Sequence, residues 1–144
     1  MNGPSVAALL VAGGAGLVLQ NTLMLQIRAV SGSFWIALWL NSGVGLVFLT
    51  WLVWAREGQQ PLSILWAQPS WWYVLPGLLG TLFVFASLQG FAHVGAAITV
   101  TSLVASQLVA GLVFDAWNGD SLSLRNFVGA GLLIAGAALV AQDG

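Results

Sequence analysis

A chain of 144 residues that is 59% hydrophobic and 5% charged, with a mean hydropathy of +0.95, is too apolar for a soluble domain and falls in the class of integral membrane proteins. Its formal net charge is −1, with three Arg and no Lys, which leaves no basic footprint for nucleic-acid phosphates. The absence of Cys removes disulfides, thiolate metal sites and cysteine nucleophiles.

A helix needs about 20 predominantly apolar residues to cross the hydrocarbon core of a bilayer, and five such runs follow one another along the chain. The first covers about 4–27 and is expected to stop at Arg28. The opening "MNGPSVAALL" has no basic segment ahead of it and the run is too long for a signal-peptide core, so a retained span is expected. The second covers about 33–55, with Trp35 and Trp39 near one end and Trp51 and Trp54 near the other, the pattern of an aromatic belt at both interfaces. "REGQQPLSILWAQPS" then forms the longest connection, whose apolar piece "LSILW" is expected along the interface. The third run, about 71–91, carries Pro76 in its first turn, where a missing N–H costs least. After the corner "AHVGA" comes a fourth, about 96–116. Asn118-Gly119 signals a turn, and Ser123 is an N-cap candidate for the fifth, about 124–142. These continuous runs predict an all-α, polytopic transmembrane helical bundle of about five helices in a single membrane domain, and argue against a β-barrel, whose strands alternate over about ten residues.

Small residues recur at helix-packing spacing: Gly13 and Gly16 share a face with Gln20 on the first span, and Gly131, Ala135 and Ala138 share one on the fifth. They serve either contacts inside one subunit or a dimer. Five helices of this size scarcely surround a cavity alone, which favours a dimer. With the N-terminus inside, Arg56 and Arg125 lie on one side of the membrane and Arg28 on the other, so the positive-inside rule has almost nothing to act on. Two oppositely inserted copies would then complete an inverted repeat. A fixed topology set by other features is the alternative.

In an apolar interior, polar side chains need partners or water. Gln20 and Asn21 stand side by side on the first span, about 100° apart, so that one can face a neighbouring helix while the other faces a cavity. Asn41 marks the middle of the second span. On the fourth, Thr99, Ser102 and Ser106 share an arc bordered by Gln107. Gln20, Asn21, Asn41, Ser102, Ser106 and Gln107 are therefore the candidate substrate-binding residues. The hydroxyls could instead bond their own backbone, and Asn41 could instead be inter-helix glue. Asp115, the one acid within or at the edge of a span, is either a coupling or gating group or part of a capped, interfacial helix end. His93, at the corner between the third and fourth spans, is a proton-exchange candidate or a turn residue. The chain has no GxSxG, HExxH or phosphate-cradling Gly-rich loop, and one His cannot build a metal cluster; neither an enzyme nor a cofactor is expected.

"GLVLQNTLM", "LNSGVGLV", "HVGAAITVTSLVASQLVAGLVFD" and "RNFVGAGLLIAGAALV" together resemble the YdcZ-like family of small bacterial inner-membrane proteins in the drug/metabolite transporter superfamily. The resemblance covers nearly the whole chain, and the pattern maps onto Gln20, Asn21, Asn41, Gly95, Gln107 and Asp115. It implies a five-helix unit in the inner (cytoplasmic) membrane, a fold assembled from inverted halves, and transport of small solutes by alternating access. The small multidrug-resistance branch places a glutamate in its first helix, where this chain offers only Gln20 and Asn21; neutral carboxamides suit a neutral or zwitterionic solute better than a titrating cation site. The expected function is a small secondary transporter working as an antiparallel, dual-topology homodimer or with a paralogous partner. The alternatives are a small dual-topology ion channel and a non-transporting accessory subunit.

Overall fold

The computed structural model of the chain describes residues 3–58, 60–119 and 123–142. Among them every regular element is helical: α1 (Gly3–Ser31), α2 (Phe34–Arg56), α3 (Gln60–Ala67), α4 (Leu75–His93), α5 (Ala96–Trp117) and α6 (Leu124–Gln142), with a 3-10 turn at Trp71–Val74 leading into α4. Five helical stretches are long and apolar enough to cross a membrane: α1, α2, the continuous Trp71–His93, α5 and α6. The "LSILW" piece becomes part of α3, which buries no residue.

Local chemistry sets the helix ends. α1 does not stop at Arg28 but runs one turn further, to Ser31, because the arginine has somewhere to go. Its guanidinium lies 3.8 Å from the centre of the Phe34 ring. Gly32, at φ +72, then ends the helix, its N–H donating to the Arg28 carbonyl at 2.7 Å. Ser33 caps α2, accepting from the Trp35 N–H. At the α4–α5 corner Gly95 has φ +87, and the N–H groups of Val94 and Gly95 both donate to the Gly90 carbonyl. Asn118-Gly119 closes α5, with Gly119 at φ +82. Ser123 precedes α6, yet its hydroxyl donates to Asn126 Oδ1 instead of accepting a backbone N–H.

Two compact units divide the chain, Leu19–Leu88 and the described parts of Met1–Val18 with Gln89–Gly144, and the divisions fall inside α1 and α4. In the first unit, Met24, Ala37, Leu38 and Leu88 form a buried cluster bordered by Leu25, Ile27, Phe34, Val84 and Phe85. Trp35 stacks on Phe85 at 5.1 Å and Phe34 meets the same ring edge-on at 6.5 Å, tying α2 to α4. In the second unit α5 packs against α6, with Ala130 buried. Gly90 approaches Thr99 so closely that a Cβ on it would lie 2.5 Å from two Thr99 atoms.

Most large apolar side chains point outward, as Leu10, Val11, Leu79 and Leu132 do. In water that surface would drive aggregation; in a bilayer lipid tails cover it at no cost. Trp35, Trp39, Trp51 and Trp54 are all exposed toward the two ends of α2, as interface anchors are. The stripes of α1 and α6 stand open: a Cβ added at Gly13, Gly16 or Gly131 would meet nothing within 4 Å.

Candidate solute-binding site

The 100° step between neighbouring residues of a helix decides what Gln20 and Asn21 can reach: they address two different neighbours. Gln20 Nε2 donates to Asn41 Oδ1 on α2 at 2.9 Å, and Asn21 Nδ2 donates to Ser87 Oγ on α4, also at 2.9 Å. Both carboxamides are thus bonded to a neighbouring helix. Asn21 and Ser87 are 1% and 0% exposed, while Gln20 and Asn41 are half-buried. Met24, one turn after Asn21, and Leu88, next to Ser87, belong to the apolar cluster, as do Ala37 and Leu38 one turn before Asn41. A knot of neutral amide and hydroxyl groups thus joins α1 to both α2 and α4 beside a dry patch. No ionised group takes part.

Inter-helix hydrogen bonds in membranes average only ~0.6 kcal/mol, because the separated helices also find partners. Hence Gln20→Leu and Asn41→Leu, measured alone and together by reversible unfolding in mixed micelles, are expected to show a coupling of about 0.6 kcal/mol. Fully additive losses would mean that the pair contributes nothing as a pair.

Thr99 is buried with Oγ1 on the Gly95 carbonyl at 2.7 Å, Thr101 bonds the Ala97 carbonyl, and Ser106 bonds the Leu103 carbonyl. Ser102, Ser106 and Gln107 are exposed on α5. His93 is exposed at the end of α4, its Nδ1 2.8 Å from the Gln89 carbonyl. Asp115 is exposed in the last turn of α5. Two polar residues of α4 passed unremarked in the sequence. Ser87 is Asn21's partner, and Gln89 carries a buried Oε1 with no hydrogen-bond partner. The signal was there in "FASLQG": a polar side chain inside an apolar run, the criterion that singled out Asn41.

Five helices of membrane-crossing length and a neutral polar knot between three of them define a multi-pass α-helical membrane protein with a polar contact buried away from water. The chain belongs to the YdcZ family of inner membrane proteins. The sequence model of the family described as "Putative inner membrane exporter, YdcZ" matches residues 5–139. The chain is also 44% identical over 146 residues to "Inner membrane protein YdcZ" of Escherichia coli (strain K12), an alignment covering 99% of this chain and 98% of that one. No solved structure gives a significant match. The protein is therefore a multi-pass inner membrane protein of a transporter-like family.

Proposed function

We propose that the chain is a secondary transporter moving a small neutral or zwitterionic solute by alternating access. Its working unit is an antiparallel pair of identical copies, or a pair with an oppositely inserted paralogue, and each copy is one membrane domain. The observation that carries the pairing is Gln107. It stands midway along α5, exposed, with no hydrogen bond among the described residues, on a helix long and apolar enough to span the bilayer. A carboxamide facing hydrocarbon there is unfavourable, and a second copy or the solute would cover it. The open small-residue stripes on α1 and α6 offer surfaces for such close approach.

In this reading Gln20, Asn21 and Asn41 contact solute in one compact unit, while Ser102, Ser106 and Gln107 supply a second polar face on α5. A bond worth only ~0.6 kcal/mol is readily exchanged, so the carboxamides can leave a helix partner for a solute and return during a cycle. Asp115 and His93, exposed at the ends of α5 and α4, serve in coupling or gating.

The pairing is tested by fusing a compartment-sensitive reporter to the C-terminus and repeating with Arg28 or Arg125 replaced by Gln, or with one Arg added in the connection after α2. Two populations that swing with a single charge are expected. One fixed orientation in every variant would overturn the pairing of identical copies. Unitary conductance steps in planar bilayers would overturn alternating access, since a channel passes ions far faster than a conformational cycle.

A further inference from the structure

Gln89 is the polar side chain for which α4 and α5 provide no use. Its Oε1 is buried and has no partner, and the side chain makes no hydrogen bond among the described residues. Other polar side chains of α4 and α5 have closed their own bonds: Thr99, Thr101 and Ser106 on the carbonyls of Gly95, Ala97 and Leu103, and His93 on the Gln89 carbonyl. A buried acceptor left unmade costs stability, so such a group persists where something else fills it. Water alone fits poorly. A buried water needs two to four polar partners, and no second buried side-chain N or O atom without a partner accompanies Gln89 on α4 or α5 among the described residues.

We infer that Gln89 is a solute-contacting residue whose carboxamide oxygen accepts a hydrogen bond from the N–H or O–H of a small neutral solute; this rests on the transporter reading above. Three features shape that ligand. The free group is an acceptor, so the solute must donate. The titratable side chains of α4 and α5, His93 and Asp115, lie exposed at helix ends, so a cation at Gln89 would be buried without a counter-charge. The backbone here is held rigidly, because the Gly90 carbonyl takes two amides, Phe91 is buried, and Gly90 abuts Thr99. The backbone that carries the acceptor is therefore ordered before the solute arrives, which lowers part of the ordering cost of binding.

The test uses the full chain with 15N-labelled Gln side chains in lipid nanodiscs, and two small neutral amides as probes: acetamide, which donates, and N,N-dimethylacetamide, which cannot. The Gln89 side-chain signal is assigned by its loss in Gln89→Met. Acetamide is expected to move that signal and N,N-dimethylacetamide to leave it in place. In proteoliposomes, acetamide uptake is expected to fall about tenfold in Gln89→Met, the effect of one hydrogen bond. The melting temperature of Gln89→Met is expected to hold or rise, because an unmatched polar atom has been removed. A melting temperature several degrees lower would show the carboxamide to be a structural element and overturn the inference, as would equal shifts with both probes. Donor-selective shifts without uptake by the unsubstituted protein would leave the Gln89 contact standing and sink the transporter reading. Uptake that ignores Gln89→Met, with no shift, would do the reverse. Gln89→Asn, which draws the oxygen back by one methylene, is read in the same way should Gln89→Met fail to accumulate.

Discussion

Gly90→Ala is expected to destabilise the protein by about 1–3 kcal/mol, the range for overpacking by a methyl group. The added Cβ would stand 2.5 Å from both Cγ2 and Oγ1 of Thr99 and 3.0 Å from its Cβ. Thr99 cannot swing away at low cost, because it is buried and its Oγ1 is held by the Gly95 carbonyl at 2.7 Å. A β-branched side chain on a helix also has few χ1 choices. Nor can α4 easily back off, since its end is tied at the same residue: the Gly90 carbonyl accepts from Val94 at 2.9 Å and from Gly95 at 3.2 Å. Adding Thr99→Ala to Gly90→Ala should restore most of the loss, because the two obstructing atoms leave together. Gly131→Ala is the control. Its Cβ would meet nothing within 4 Å, and Ala favours a helix over Gly by about 1 kcal/mol, so that change should be neutral or stabilising. Thermal unfolding of the three variants in one detergent orders them. Equal effects at Gly90 and Gly131 would mean that α4 and α5 do not meet there.

That contrast shows where sequence reasoning stops. The five spans were legible because bilayer thickness dictates their length, and lipid leaves no alternative to a helix for satisfying the backbone. Asn118-Gly119 and Pro76 were legible because their backbone preferences are local. The end of α1 was not. Arg28 reads as a stop when charge alone is weighed, but its head finds the Phe34 ring across the turn. Among the described glycines only Gly90 is pinned by a neighbour, and nothing in its flanking residues sets it apart from Gly13 or Gly131. Close approach depends on which residue of α5 falls opposite, a tertiary fact. The candidate site divides the same way. Gln20, Asn21 and Asn41 stand out as carboxamides in hydrocarbon, and Ser87 as a hydroxyl in an apolar run, but which of them meet depends on how the helices pack, again a tertiary fact.

The Asn21–Ser87 bond carries the second large effect, and it is expected to be lopsided. In Ser87→Ala the bond from Asn21 Nδ2 is lost at a position 1% exposed, and taking one partner from a buried amide costs about 1–3 kcal/mol. In Asn21→Leu the side chain left behind is the Ser87 hydroxyl, which has a retreat: it can rotate onto the carbonyl one turn earlier in its own helix. Thr50, Thr81, Thr99 and Thr101 already bond in that manner, each to the residue four positions before it. Leucine keeps the branching of asparagine at Cγ, and its larger methyl groups meet the apolar surroundings of Met24 and Leu88, which offsets part of the overpacking. Ser87→Ala, the smaller chemical change, should therefore destabilise more than Asn21→Leu, and the double variant should resemble Asn21→Leu alone. The double-mutant cycle from reversible unfolding in mixed micelles should return a coupling between about 0.6 and 1.7 kcal/mol, the average and upper end for such bonds in a membrane protein. If Asn21→Leu is instead the costlier single change and the two losses add, the asparagine is held by something other than Ser87. The buried end of the polar knot would then have to be sought elsewhere on α1.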